Sequence, residues 1–157
     1  MKKIIASVFA LSSLMNFAFS QSGTESRKKE FNISKEGLAI DGYDPVSYFL
    51  LTKPVKGKKD LSITENGITY LFSSRQNEET FRKNPSKYEP QFGGWCAYAM
   101  GSNGTKVEVD VDTYKILDGK LYLFYNKFFN NTLRSWNKDE MNLKKNADAN
   151  WAKLFHQ

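Results

Sequence analysis

Residues 90–101 read PQFGGWCAYAMG and contain the only cysteine of the chain. Gly93 and Gly94 carry no Cβ, so the backbone there can turn sharply or approach another segment closely. The run from residue 95 to 100 contains good helix formers, and a following glycine such as Gly101 is typical of a helix end. The stretch therefore predicts a sharp turn, then a short helix, at the chemical centre of the protein.

Cys96 and Met100 are four residues apart and would lie on one face of that helix. A thiolate and a thioether on one face can converge on a soft metal ion, and such ligands suit Cu(I). Lone cysteine and methionine side chains also commonly fill apolar cores. The pair therefore predicts either a copper-type metal site or two core residues. If both are core residues, the cofactor is unknown.

Two β-hairpins are predicted, one on each side of this stretch. Alternating apolar residues flank Asn66-Gly67 in the first hairpin and Asp118-Gly119 in the second, and both dipeptides favour tight turns. Residues 107–111 also alternate, as expected of an edge strand with one face in water. The strands are therefore expected to be antiparallel and local.

Helices surround the hairpins in the predicted fold. Ser73 and Ser74 are candidate caps for a helix over residues 75–83. Apolar residues at three- and four-residue steps predict an amphipathic helix over residues 139–155. The residues at these steps are Trp136, Leu143, Ala147, Trp151 and Leu154. We therefore predict an α+β fold, a small antiparallel sheet of hairpins packed with short helices and a C-terminal amphipathic helix.

Residues 1–20 have the three parts of a secretory signal peptide. Lys2 and Lys3 form a basic end, an apolar run follows, and Ala18 and Ser20 are small residues at the positions that a signal peptidase reads. The apolar run is short for a membrane span, and no second long apolar run follows it. We expect cleavage, no transmembrane segment afterwards, and export to the bacterial periplasm or exterior; an uncleaved anchor is the alternative.

One domain is expected after cleavage. Removal of 20 of the 157 residues leaves 137, which suffice for a single domain with a core of its own. Residues 21–35 are polar, charged and aperiodic, and they predict a flexible leader. The domain is placed at residues 36–157. A single cysteine cannot form an internal disulfide, so packing must stabilise this domain.

The distribution of charge argues against a nucleic-acid partner. The net charge is +6 for the whole chain and +4 without Lys2 and Lys3, and the remaining basic residues are scattered in small groups. Proteins bind a phosphate backbone through dense basic stripes that release counterions. The basic loop over residues 53–59 is instead a candidate contact for an anionic partner in the envelope or outside the cell.

A ligand pocket is predicted beside the Cys96 stretch. Asp44 precedes Pro45, a combination that starts helices, so a brief helix is expected over residues 46–51. Asp41 and Asp44 could also bind a cation, but capping and turn formation explain both carboxylates. A ligand would meet the region between this segment and the helix after Cys96. The predicted pocket residues are Tyr43, Asp44, Tyr48, Trp95 and Tyr98.

The sequence predicts no catalytic residues, and we expect that the protein is not an enzyme. The only histidine, His156, lies next to the C-terminal residue, where side chains are commonly solvated. A cysteine nucleophile needs an activating base or cation nearby, and a Ser-His-Asp set needs a positioned histidine.

Five segments of the chain resemble the exported branch of the YHS-domain family. They are AIDGYDPVSYF at residues 39–49, GITYLFSS at 67–74, FRKNPSKY at 81–88, FGGWCAYA at 92–99 and DGKLYLFYN at 118–126. The resemblance covers nearly all of the chain after the leader.

The resemblance implies a small binding domain related to cytoplasmic metal-binding modules. In those modules cysteines lie around the hairpin and at the start of the following helix, where this chain has Ser73 and Asn77. One cysteine and one histidine cannot supply the four ligands of a zinc site. The metal site of the family is therefore expected to be lost, or remade around Cys96.

The sequence leaves two main functions open. In the first, an exported YHS-like binding domain handles a soft metal ion or a cofactor through Cys96 and Met100, with Trp95 and Tyr98 forming the wall of the site. In the second, the protein is a non-catalytic structural or interaction protein of the cell envelope, and Cys96 is buried and inert. Redox sensing by Cys96 is a third hypothesis.

Overall fold

The computed structural model of the protein describes residues 23–155, without the side chain of Phe155. The predicted signal peptide and His156 lie outside the described residues. Within them, seven helices and three two-stranded antiparallel hairpins follow one another along the chain. The predicted α+β class is confirmed, although the hairpins form three separate sheets instead of one.

The elements in chain order are α1 (residues 23–30), a 3₁₀ turn (Ile40–Gly42), α2 (Ser47–Leu50), β1 (Lys58–Glu65), β2 (Ile68–Phe72), α3 (Arg75–Lys83), α4 (Pro85–Tyr88), a second 3₁₀ turn (Gln91–Gly94), α5 (Ala97–Asn103), β3 (Asp110–Leu117), β4 (Lys120–Phe124), β5 (Asn126–Lys127), β6 (Asn130–Asn131), α6 (Thr132–Trp136) and α7 (Glu140–Phe155). The predicted helices that correspond to α3 and α7 are confirmed. The predicted strand over residues 107–111 is wrong for its first half, because β3 begins at Asp110. None of the helices described between residues 23 and 155 is long and apolar enough to cross a membrane.

The two predicted hairpins are confirmed, and their turns explain where they form. Asn66 and Gly67 join β1 to β2 with φ angles of 47° and 85°, and Asp118 and Gly119 join β3 to β4 with φ angles of 51° and 71°. Two consecutive residues with positive φ make a turn whose twist matches that of the flanking strands, and Asn-Gly and Asp-Gly adopt it readily. The local sequence therefore determines both hairpins.

Strand β4 separates two hydrophobic cores. Leu121 and Leu123 belong to the first core, with residues of the first hairpin, α3 and α4, whereas Tyr122 and Phe124 belong to the second. All four side chains are buried. Successive side chains of a strand point to opposite faces. Strand β4 therefore lies between the two cores and contributes two side chains to each.

The second core lies between β4 and the helices α5, α6 and α7. Trp136 is fully buried there, with its ring centroid 5.8 Å from that of Tyr122. Gly101 lies inside α5, and a Cβ at this position would stand 2.4 Å from the Leu143 carbonyl oxygen in α7. The predicted helix end at Gly101 is therefore wrong. This glycine lets two helices approach closely, and α5 ends at Gly104, where φ is 72°.

The N-terminal segment is part of the domain. Residues 23–30 form α1, and Phe31 is buried in the first core, with its ring centroid 5.9 Å from that of Trp151 in α7. The prediction of a flexible leader over residues 21–35 is therefore wrong for its described part. A single apolar residue gives no periodic signal in the sequence, yet it attaches this segment to the C-terminal helix.

The sharp turn expected before Cys96 is observed, and the N-terminal segment packs against it. Phe92, Gly93 and Gly94 have positive φ angles of 55°, 60° and 87°. A Cβ on Gly93 would lie 2.8 Å from the Trp151 ring and 3.0 Å from Phe31 Cα, so only glycine fits between them. The turn therefore holds the Cys96 stretch between the N-terminal segment and α7.

Candidate functional site

Cys96 lies at the N-terminal end of α5, one residue before the helix and not inside it as predicted. Its N–H donates a hydrogen bond to the Val107 carbonyl at 3.0 Å, and its carbonyl accepts one from Met100 N–H at 3.0 Å. The residue has no exposed surface. Both main-chain groups are thus bonded, and the backbone sets the position of the thiol.

The Cys96 thiol belongs to a closed set of hydrogen bonds with two residues. Tyr125 N–H donates to the sulfur at 3.3 Å, and Thr132 Oγ1 lies 3.4 Å from the sulfur. Thr132 donates its hydroxyl proton to the Tyr125 carbonyl at 2.9 Å, because a carbonyl can only accept. Because this proton is engaged, the Cys96 thiol is the group that can donate in its contact with Thr132.

These bonds fix the base of the third hairpin, β5–β6. Tyr125 directly precedes β5 and Thr132 directly follows β6. Thr132 N–H also donates to the Tyr125 carbonyl at 3.0 Å. On the other side, Asn126 Nδ2 donates to Thr113 Oγ1 of β3 at 3.0 Å. Cys96 therefore bonds to both ends of this hairpin and attaches it to α5.

The third hairpin ends in two exposed phenylalanines. Phe128 and Phe129 form its turn with φ angles of 52° and 64°, and their side chains are 89% and 110% exposed. The sequence does not predict this hairpin, because YNKFFNN at residues 125–131 contains no glycine and no dipeptide that favours a turn. The only signal is an aromatic pair set among lysine and asparagine residues.

A cleft of about 420 Å³ lies between α5 and the third hairpin. Its lining includes Cys96, Tyr98, Ser102, Asn103, Tyr125 and Asn130, and no charged side chain contributes to it. Neutral hydroxyl, amide and aromatic groups of this kind suit a small uncharged ligand. Two of the predicted site residues, Cys96 and Tyr98, meet here.

Met100 and the Cys96 sulfur have different surroundings. Met100 is fully buried in the second core with Phe92 and Trp136, whereas the partners of the sulfur are on the third hairpin. Within residues 23–155, no group of three or more His, Cys, Asp or Glu side chains is placed to hold a metal ion. The partners of the Cys96 sulfur are a hydroxyl and a main-chain amide, whereas a copper site needs further soft donors around the sulfur.

Asp44 is fully buried and accepts four hydrogen bonds. Its Oδ1 accepts from Val46 N–H at 2.9 Å, a local turn bond two residues along the chain. The N-cap of α2 is Val46, without a side-chain cap, so the capping role predicted for Asp44 is wrong. Asp44 Oδ2 accepts from Ser73 N–H at 2.9 Å, from Ser73 Oγ at 2.6 Å and from Asn77 Nδ2 at 2.6 Å. Asp44 therefore joins α2 to the end of β2 and the start of α3.

The partners of Asp44 occupy the positions where the resemblance places metal-binding cysteines. Ser73 directly follows β2, and Asn77 lies in the first turn of α3. Both side chains bond to Asp44, and Asn77 Nδ2 also lies 3.3 Å from Ser73 Oγ. The donors at these two positions, the N–H and hydroxyl of Ser73 and the side-chain amide of Asn77, are thus already paired with the buried Asp44 carboxylate. Neither Ser73 nor Asn77 was identified from the sequence as a partner of Asp44.

The tyrosines of the predicted pocket have structural roles. Tyr48 donates its hydroxyl proton to the Val111 carbonyl at 2.9 Å, and its ring packs edge-on against Tyr114 at 4.9 Å. Burial raises the pKa of Tyr48 well above its ordinary value. The Tyr43 ring lies 5.4 Å from Lys56 Nζ. Neither of these tyrosines nor Asp44 lines the cleft beside Cys96, so the predicted pocket is wrong in joining the two regions.

Trp95, the remaining predicted pocket residue, faces the N-terminal segment. Its Nε1 donates to the Glu30 carbonyl at 2.7 Å, and Lys106 Nζ lies 6.0 Å from its ring. Trp95 therefore anchors the end of α1. It does not line the cleft next to Cys96.

A second cleft, of about 300 Å³, lies where α1 meets α7. Arg27 forms an ion pair with Glu89 at 2.5 Å, and its guanidinium lies 4.3 Å from the centre of the Phe31 ring. Tyr70 donates its hydroxyl proton to the same Glu89 oxygen at 2.8 Å. Burial and the Glu89 carboxylate raise the pKa of Tyr70. These groups connect α1 to the first hairpin, although Arg27 Nε is buried and has no hydrogen-bond partner among the described residues.

No family model matches the chain, and neither a curated protein nor a solved structure matches it. The resemblance to the YHS-domain family rests on the five segments quoted above.

Proposed function

We propose that the chain is an exported, non-catalytic interaction protein of the cell envelope, built on a YHS-like domain in which Cys96 is a buried structural anchor. The observation that supports this function best is the bonding of the Cys96 sulfur. It accepts a hydrogen bond from Tyr125 N–H and contacts Thr132 Oγ1, at the two ends of the third hairpin. The thiol therefore positions a surface hairpin.

The alternative, handling of a soft metal through Cys96 and Met100, requires different surroundings for the sulfur. A metal ligand must be a thiolate, and Cys96 would have to give up its proton and its contact with Thr132. Deprotonation would also leave the Thr132 and Tyr125 groups to rearrange around a buried charge, which is costly without a partner. The geometry favours the anchor over the ligand.

Thiol accessibility tests the proposal. We expect the folded protein not to react with Ellman's reagent and to react only after unfolding in guanidinium, because Cys96 has no exposed surface. A variant with Cys96→Ala and Ser102→Cys provides the matched control, since Ser102 is exposed and lies at the same cleft. Its thiol should react at once in the folded state.

The opposite result would support metal handling. A native Cys96 that reacts as fast as the control thiol, and that Cu(I) protects from the reagent, would overturn the anchor role. Cys96→Ala supplies a second measurement. We expect a loss of about 1–3 kcal/mol in the free energy of unfolding, because a buried side chain is truncated and the amide of Tyr125 loses its acceptor.

Export is a separate part of the proposal and has its own test. It rests on the signal-peptide pattern of residues 1–20, with small residues before Gln21. Mass spectrometry of the protein from a bacterial periplasmic fraction should find a mature chain that begins at Gln21. An intact N-terminus in the cytoplasmic fraction would contradict export.

A further inference from the structure

The tip of the third hairpin carries the two most exposed large hydrophobic side chains between residues 23 and 155. Phe128 and Phe129 are adjacent, 89% and 110% exposed, and project where the chain reverses direction. Two phenylalanine side chains offer roughly 300–500 Å² of apolar surface, from the area that each such ring buries in proteins. Exposed apolar patches of a few hundred Å² are often functional.

Folding does not explain these two residues. Both have positive φ angles, a conformation that is strained for bulky side chains. Neither side chain contributes to either hydrophobic core. The turn therefore accepts unfavourable residues without any gain in packing, a pattern that is typical of residues retained for binding.

The base of the hairpin is firmly attached, so the two rings are held in place. Cys96 and Thr132 bond to the chain on both sides of the turn. Asn126 donates to Thr113, which donates in turn to Asp110 Oδ2 at 2.8 Å. A fixed base lowers the entropy that is lost when the tip binds.

Basic residues accompany the aromatic tip. Lys127 directly precedes Phe128 in β5, and Arg134 lies in the first turn of α6, which begins directly after β6. Both side chains are exposed. Exposed lysine and arginine residues beside an apolar tip are attracted to anionic phospholipid headgroups.

The shape and size of the tip favour a lipid surface over a protein partner. A stable protein interface buries about 800 Å² on each side and surrounds its central anchors with a rim of contacts. Two rings on a two-residue turn provide only part of that area. A bilayer needs no complementary surface, because rings can enter the boundary between headgroups and acyl chains wherever they meet it.

We propose that Phe128 and Phe129 insert into the interfacial layer of an anionic phospholipid bilayer, while Lys127 and Arg134 contact the headgroups. This inference rests on the proposed interaction role and names its partner as the membrane surface. Binding is peripheral and reversible, since two rings and a few charges give a weak anchor. The attraction decreases with salt, because exposed charges are screened.

Vesicle binding by the full chain tests the inference. We expect wild-type protein to sediment with phosphatidylcholine vesicles that contain phosphatidylglycerol, and to bind pure phosphatidylcholine vesicles less tightly. Phe128→Ser with Phe129→Ser should weaken binding by more than about tenfold, because the inserted apolar area is lost. Circular dichroism should show an unchanged fold, since both side chains are exposed.

A second exposed apolar pair provides the matched control. Leu50 and Leu51 are adjacent and 64% and 48% exposed, and Leu50→Ser with Leu51→Ser should leave vesicle binding unchanged. Phe129→Trp gives a local measurement: lipids brominated in their acyl chains should quench its fluorescence beyond the quenching of the wild-type tryptophans. Every variant shares the same N-terminal 20 residues, so differences between them do not arise from that segment.

Several results would overturn the inference. Vesicle binding that is equal in the wild type and the Phe128→Ser, Phe129→Ser variant, or lost equally in the leucine variant, would exclude the tip as the lipid contact. Self-association of the wild type that this variant abolishes would identify a second copy as the occupant instead. A failed vesicle experiment with an inaccessible Cys96 would leave the anchor role intact, whereas a reactive, copper-protected Cys96 would contradict the proposed function whatever the vesicles show.

Discussion

The first and third hairpins use the same turn geometry with opposite chemistry. Asn66 and Gly67 in the first have φ angles of 47° and 85°, and Phe128 and Phe129 in the third have 52° and 64°. Asn-Gly adopts this geometry at little cost, whereas two phenylalanines do not. The first turn is explained by folding, whereas the third is explained by the membrane contact that we propose for its side chains.

The two hairpins are also held by different buried groups. The end of the first hairpin is bonded to Asp44 through Ser73, and the base of the third is bonded to Cys96 through Tyr125 and Thr132. A carboxylate that accepts four hydrogen bonds is a strong support, and a thiol with weak hydrogen bonds is a modest one. The stability of the fold should therefore depend more on the first region.

Removal of the Asp44 carboxylate should have the largest effect. Asp44→Ala would leave the amides of Val46 and Ser73 and the side chain of Asn77 without their acceptor in a buried site. We expect a loss of about 3–5 kcal/mol in the free energy of unfolding, measured by urea denaturation. Asp44→Asn keeps the shape and one acceptor oxygen, so it should lose less. Equal losses in both variants would contradict the role of the carboxylate.

Transfer of the aromatic pair to the first hairpin should be nearly as damaging. In the variant with Asn66→Phe and Gly67→Phe, a Cβ at position 67 would lie 2.5 Å from Thr24 Cγ2, in addition to the strain of positive φ. We expect a loss of about 2–4 kcal/mol. Asp118→Phe with Gly119→Phe is the control, because nothing lies within 4 Å of a Cβ at Gly119. Thermal unfolding should show a smaller loss there, and the reverse order would refute this explanation.

Alkaline pH should weaken the first hairpin through Tyr70. Burial and Glu89 raise the pKa of Tyr70 above its ordinary value of 10.0. A raised pKa of a tyrosine means that its contribution to stability is complete below pH 10 and is lost as the pH rises toward the folded-state pKa. We expect the free energy of unfolding to decline above pH 10, and to decline less steeply in Tyr70→Phe. At pH 7 the free energy of unfolding of Tyr70→Phe should be about 1 kcal/mol lower than that of the wild type, because the variant lacks the hydrogen bond to Glu89. Parallel pH profiles would exclude Tyr70 as the titrating group.

Much of the fold follows from local sequence, and the rest depends on contacts between distant residues. Asn66-Gly67 and Asp118-Gly119 specify two hairpins, and the apolar steps of the C-terminal segment specify α7. The attachment of α1 depends on Phe31 reaching Trp151, more than a hundred residues away. No pattern within the N-terminal segment predicts that contact.

The candidate site was predictable only in part. Residues 90–101 do form a sharp turn and place Cys96 at the centre of a buried cluster, as their composition indicates. The sequence could not predict that Cys96 bonds to Tyr125 and Thr132, because that partnership arises from the third hairpin. Nor could it predict that hairpin, since Phe128-Phe129 departs from every preference for turn residues. The departure itself is the feature that identifies the exposed tip.

The most direct measurement exchanges the tip for the turn of the first hairpin. In the variant with Phe128→Asn and Phe129→Gly, the preferred turn residues replace the strained ones, so the free energy of unfolding should rise by about 1 kcal/mol. Binding to vesicles that contain phosphatidylglycerol should fall by more than about tenfold in the same variant. Greater stability with lost binding is the result that our account predicts. Lower stability with unchanged binding would show that the phenylalanines serve the fold and not the membrane.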